Sequence, residues 1–272
     1  MVCSLRLGWG PVARGGAMST GAVALTGLDR LQVPERVSRD VETFVRKLAG
    51  FYREDLVSII VFGSAVAGGY AEASSDLNLL VVYSDLNLAD LSAVARLAQR
   101  WLRKRRFAPR FLSLRNLRES ARYFQIDLLE MRDAHVVLYG EDVLAGLEAR
   151  PADLRWQLAH EVKRMRMRIK QQFWRAAGDA RRMRLILLER FTSLVHLMRA
   201  LMFLQGKPAP LGHEELVAAA TRELGIDAEF GARMLALKSG RWKARPAELL
   251  EAFGKLMEMI RLVDAQVDQV AV

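Results

Sequence analysis

The residues best equipped for chemistry lie between positions 62 and 82. Asp76 and Asn78 stand two apart at the start of Leu-Leu-Val-Val-Tyr, a short apolar run that reads as a buried strand. Side chains two apart on a strand share a face, so these two polar groups would sit side by side. Val57 to Phe62 reads as a second buried strand, and Gly63 and Ser64 follow it where a helix would begin. Backbone N–H groups at a helix start attract anions, and glycine lets a phosphate approach closely. Eleven residues, 65 to 75, separate Ser64 from Asp76. A phosphate-binding turn followed by a strand-borne carboxylate suits phosphoryl or nucleotidyl transfer, where positioning and charge neutralisation supply most of the catalysis.

The block resembles the active-site signature of the nucleotidyltransferase superfamily, the DNA polymerase β-like fold: Gly-Ser, a spacer, then Asp-x-Asp. Position 78 departs from it, because the second acid is Asn. The resemblance implies that Gly63 and Ser64 contact the β- and γ-phosphates of a nucleoside triphosphate. It also implies that Asp76, helped by Asn78, anchors Mg²⁺. Paired carboxylates can hold two such ions about 3.5–4 Å apart. An Asn offers only one neutral carbonyl oxygen, and Mg²⁺ favours carboxylate and water. A third carboxylate is expected on a neighbouring strand, and residues 124–131 read as that strand. Asp127 is the favoured third ligand or base and Glu130 the alternative; in a second reading both are solvent-facing or pair with Arg122 or Arg132. The expected activity is Mg²⁺-dependent transfer of a nucleoside monophosphate from NTP to an unidentified acceptor, whether small molecule, RNA or protein. The alternative is a weakened or inactive module that binds NTP, nucleic acid or a protein partner.

Composition is compatible with both. A chain of 272 residues, 51% hydrophobic with mean hydropathy +0.06, can bury a substantial core. The formal charge of +10 suits a phosphate-rich ligand, nucleic acid included, although Arg, Ala and Leu usage of this kind also follows from a GC-rich genome. No charge-free apolar stretch reaches membrane-spanning length. One cysteine, Cys3, excludes an internal disulfide and a cysteine-built zinc site, and suits a cytoplasmic protein.

The elements that must position the motif follow from periodicity. Residues 1–28 are acid-free and Gly-rich, which reads as a disordered tail or an extension upstream of a start at Met18. Residues 29–148 read as an α+β nucleotidyltransferase-like domain with a small mixed sheet. Its helices run from Val33 to Phe51, from Leu88 to Leu102 with a basic end at 103–106, and from Leu117 to Tyr123. Strands are expected at 108–114, 125–131 and 135–139. Residues 149–272 read as an all-α helical-bundle domain, with long helices around 158–173, 185–204 and 245–267 and a breaker-rich loop at 206–212. In the family this block resembles, such bundles commonly help hold the acceptor, so the resemblance implies a cleft between the two. Within 155–190 there are eleven Lys or Arg against three acids, with Trp156 and Trp174 among them. This is either an electrostatic wall for phosphate or the solvated face of a helix with its tryptophans in the core. Arg190 and His196 loosely resemble the Arg-His element of HEPN-type RNases. Six residues along a helix do not share a face, however, so His196 reads as a core or partly buried histidine.

Overall fold

The computed structural model describes residues 24–52, 55–68, 70, 75–84, 92, 95, 96, 99, 107–176 and 178–271. Of the expected helix over 88–102 only residues 92, 95, 96 and 99 are described, and the tail before residue 24 lies outside the described residues. In chain order the elements are α1 (Glu35–Tyr52), β1 (Leu56–Phe62), α2 (Ser64–Ala67), β2 (Leu77–Tyr83), β3 (Phe107–Ser113), α3 (Leu114–Ser120), α4 (Gln125–Asp133) and β4 (His135–Gly140). Then come α5 (Pro151–Ala176), α6 (Ala180–Leu204), α7 (His213–Leu224), α8 (Ala228–Lys238) and α9 (Pro246–Gln269).

The sheet has the order β3-β2-β1-β4. β1 runs antiparallel to β2 and β4, while β2 and β3 are parallel, so the sheet is mixed as expected. β1 and β2 are apolar at nearly every position because both faces of the sheet are covered. Ile59, Val61, Leu79 and Val81 face the core shared with Val41, Phe44 and Leu48 of α1. Ile60, Phe62, Leu80 and Val82 face the opposite core, with Leu117 of α3 and Leu128 and Met131 of α4. Each such side chain, fully withdrawn from water, contributes roughly 1.5–3 kcal/mol.

The strand expected over 125–131 is instead helix α4. Its apolar residues pair at a spacing of three: Ile126 and Leu129 enter the core of the helical half, whereas Leu128 and Met131 enter the sheet's core. Long-range polar contacts hold its first turn. The Gln157 side chain of α5 accepts from the Ile126 N–H at 3.0 Å, and the Gln125 side chain accepts from the Arg150 N–H. Sequence-local periodicity cannot anticipate bonds made 25 and 31 residues away.

The helical half is built on α5, α6 and α9, which meet through Leu158, Val162, Ile169, Leu187, Leu194, Phe253, Leu256 and Ile260. Asp179 ends the turn between α5 and α6 by capping α6, accepting from the Arg181 and Arg182 N–H groups. Asp264 of α9, buried, is met by Lys163 at 3.0 Å and by Arg166, both on α5. No helix among the described residues is long and apolar enough to cross a membrane.

Gly140 closes β4 at φ 74°, a conformation that L side chains rarely adopt, and a Cβ there would overlap the Val57 carbonyl of β1. Gly140→Ala is therefore expected to lower unfolding free energy by at least about 2 kcal/mol, read as a drop in the urea midpoint.

Candidate functional site

The end of β1 turns sharply at Gly63, whose φ of 77° calls for glycine. Its N–H donates to the Ala134 carbonyl at 3.0 Å, tying the turn to the end of α4. Val66 and Ala67 donate back to the Gly63 carbonyl, forming the short helix α2 from Ser64. Asn78 is paired with Phe62 across the β1–β2 ladder, so its side chain lies over the turn. A Cβ placed on Gly63 would come within 3.2 Å of Asn78 Nδ2. The adjacency of the Gly-Ser turn and the strand-borne polar pair is thus present, with Asp76 immediately before β2.

These residues form one wall of a cleft of about 650 Å³. Gly63, Ser64, Asp76 and Asn78 line it from the sheet side and Glu130 from α4. Across from them stand His196 and Arg199 of α6, His213 of α7 and Lys238 of α8. A cleft between the sheet unit and the helical bundle is therefore found, and Gly63, Ser64, Asp76 and Asn78 line it.

Asp127 is not among the lining residues. It sits on α4 and pairs at 2.5 Å with Arg110 of β3, whose guanidinium also lies over the Phe62 ring. β3 is the strand beside β2, and it carries no acid: Ala108 stands opposite Asn78 and Arg110 opposite Leu80. Where the resemblance leads one to look for a carboxylate on a neighbouring strand, β3 presents a methyl and a cation. Glu130, the alternative, is the acid of α4 that reaches the cleft.

Glu130 Oε1 lies against His196 Nδ1. This contact suits an imidazole that donates from Nδ1 and keeps a lone pair on Nε2. The His196 and His213 rings meet edge to face at 5.6 Å, and Lys238 Nζ is 3.3 Å from His213 Nδ1, which accepts from it. Burial, followed by the charges of His213, Lys238, Arg199 and Arg110, pushes His196 down to about 3. Burial, then Lys238 and Arg199, pushes His213 down to about 4. Burial also lowers Lys238 and Arg199 from their ordinary values. Two neutral imidazoles and two recessed cations thus face the Gly63–Asn78 wall. Sequence reading placed His196 in or partly in the core, where it is indeed partly buried, and did not single out His213, Arg199 or Lys238. They come from three helices with no shared spacing, so no local motif marks them. Arg190 pairs with its neighbour Glu189 and does not line the cleft with His196.

Among the described residues, no three His, Cys, Asp or Glu side chains cluster where they could together hold a metal ion. One carboxylate and one amide do not fit a two-ion centre. They do fit a single Mg²⁺ that arrives on a triphosphate and needs only one carboxylate from the protein.

No protein-family model and no curated protein sequence matches this chain. Among solved structures, the chain is similar to the spectinomycin adenyltransferase AAD(9) from Enterococcus faecialis, solved with ATP and spectinomycin. The match has a TM-score of 0.56 at 14% identity and covers 82% of this chain and 99% of that one. The likeness is one of fold: this chain has the polymerase β-like nucleotidyltransferase fold followed by helices.

The histidines predict a pH dependence. A histidine neutral in the folded state but with an ordinary value near 6.5 when unfolded binds more protons unfolded than folded between those values. Stability is therefore full above 6.5 and falls as pH drops toward 4. His213→Gln is expected to remove about 2 kcal/mol of the loss between pH 6.5 and pH 5, measured by urea unfolding across that range. Equal slopes in the two proteins would contradict the burial of a neutral His213.

Proposed function

We propose that the cleft binds a Mg²⁺–nucleoside triphosphate and transfers its nucleoside monophosphate to a small-molecule acceptor. The observation that carries this reading is the opposition across one cleft of the Gly63–Ser64 turn with Asp76 to the cations Arg199 and Lys238. The Gly63 N–H is engaged by Ala134, so Gly63 shapes the turn. The N–H groups of Ser64 and Ala65 at the start of α2 are then the phosphate donors, together with the Ser64 hydroxyl. Arg199 and Lys238 neutralise the phosphate oxygens from the other side, where their recessed position strengthens the attraction. Asp76 is the protein's metal ligand, with Asn78 as a neutral second donor. The bound Mg²⁺ would supply charge neutralisation at the triphosphate. Glu130 holds His196 with its Nε2 lone pair free to accept a hydrogen bond from the acceptor hydroxyl and so orient it. This pair replaces the strand-borne carboxylate that β3 lacks. The ATP and spectinomycin of the structural neighbour make ATP and a small molecule the first substrates to try.

A second reading is favoured by a specific observation: with Asn at 78 and no acid on β3, the site holds nucleotide without turning it over. The two readings separate in one series of measurements. Calorimetry with each Mg–NTP is expected to show binding by the wild type and at least tenfold weaker binding, about 1.4 kcal/mol, by Asp76→Ala. No binding by folded wild-type protein would overturn both readings. Pyrophosphate release, with water or an added small molecule as acceptor, is then compared between wild type and Asn78→Asp. Release by the wild type that rises tenfold or more in Asn78→Asp, and is lost in Glu130→Gln while nucleotide binding persists, is the outcome expected of a transferase. Binding without release in the wild type establishes the nucleotide-holding module.

A further inference from the structure

The tryptophans of α5 are outside the core: Trp156 is 64% exposed and Trp174 83%. Eighteen residues separate them, about five helical turns, so they point the same way about 27 Å apart. Met167, 61% exposed, falls on the same line. His160 stacks on Trp156 with ring centroids 5.5 Å apart and planes 8° from parallel, which widens the first indole into a two-ring platform. The stripe is no misplaced core face, because Leu154, Leu158, Val162, Met165 and Ile169 already fill the inward side of α5.

Cations border the stripe on both sides. Lys163 is matched by Asp264 and Asp268, and Arg164 by Glu161. Arg168, Lys170 and Arg175 are exposed, and no described carboxylate reaches any of them. The whole helix has seven Lys or Arg against two acids. Large aromatic faces held in water between uncompensated cations are the elements of single-strand recognition: bases stack on the rings while the backbone follows the charge.

We propose that the outer face of α5 binds single-stranded nucleic acid, with bases stacked on Trp156 and Trp174 and phosphates held by Arg168, Lys170 and Arg175. The proposal does not depend on the nucleotide reading of the cleft. Charge selects this occupant over others. A second copy docked face to face would set cation against cation. Residues 1–23 of the chain itself hold two arginines and no acid. A lipid-inserting face would be continuously apolar, whereas here Lys163, Lys170 and Gln171 interrupt the apolar groups.

The test is fluorescence anisotropy of labelled oligo-uridine and oligo-deoxythymidine of about 15 nucleotides with the full chain. The comparison proteins are Trp156→Ala/Trp174→Ala, its Phe/Phe counterpart, and Arg168→Gln/Lys170→Gln/Arg175→Gln, each checked for an unchanged melting curve. Binding is expected to weaken at least tenfold in the Ala pair, to be largely kept in the Phe pair, and to show a shallower salt dependence in the Gln triple. A preference for one oligonucleotide over the other identifies the sugar and supports the proposal. Three results would overturn it: no binding at low salt, equal affinity in the wild type and the Ala pair, or binding only to phosphatidylserine vesicles.

Discussion

The nine-residue helix α4 belongs to two hydrophobic cores at once, and the geometry of the cleft depends on that double membership. Ile126 and Leu129 are packed into the helical half, Leu128 and Met131 into the sheet's core. Moving α4 toward either half would pull apolar surface out of the other, and well-packed interiors resist such shifts. Its two ends are also tied. Gln157 and Gln125 fix the start, and the carbonyl of Ala134, just past the helix, holds the Gly63 N–H. The Gly63–Ser64 turn and the histidine-bearing helices are thus positioned by one shared wall. Glu130 projects from that wall into the space between them.

The chemistry of the cleft is set by what α4 and β3 exchange. β3 carries no acid and presents Arg110, which pairs with Asp127 outside the lining of the cleft. Glu130, one turn along the same helix, remains to contact His196. Recessed Arg199 and Lys238 leave the far wall positively charged, which favours an anionic ligand despite the thin supply of carboxylates for metal.

Much of this was legible in the residues. Strands β1 and β2 are apolar runs because both faces are covered, and the Gly63–Ser64 turn with Asp76 and Asn78 lies where their spacing placed it. The long helices after Pro151 followed from 3.6-residue periodicity. α4 was not legible, since an apolar run of six to eight residues interrupted by acids fits a strand as well as a helix. Its helical form goes with tertiary contacts, the two cores it packs into and the Gln157 bond, which lie far away in sequence. The misreading carried Asp127 forward as a site residue and left Glu130 in second place. His196, His213 and Lys238 meet only in three dimensions, and a single sequence has no periodic signal for such a meeting. Trp156 and Trp174 show where the residues left two readings open: an aromatic at helical spacing normally marks a core, and the packed structure shows that the other face of α5 had already filled it.

The pairing of β1 bears on how the molecule reaches this state. Its partner β2 follows within a short hairpin-like excursion, but its other partner, β4, arrives only after β3, α3 and α4 have been laid down. The contacts that complete the sheet therefore have a large sequence separation, and the loop-closure entropy for them must be met before they give any stabilisation. The antiparallel helices α5 and α6, joined by a brief turn, face no such delay. A nascent chain can thus have a formed helical hairpin beside an unfinished sheet, with the β1 edge exposed until β4 docks. The long-range pairing that buries the centre of the fold is also the step at which it is most open to intermolecular strand exchange.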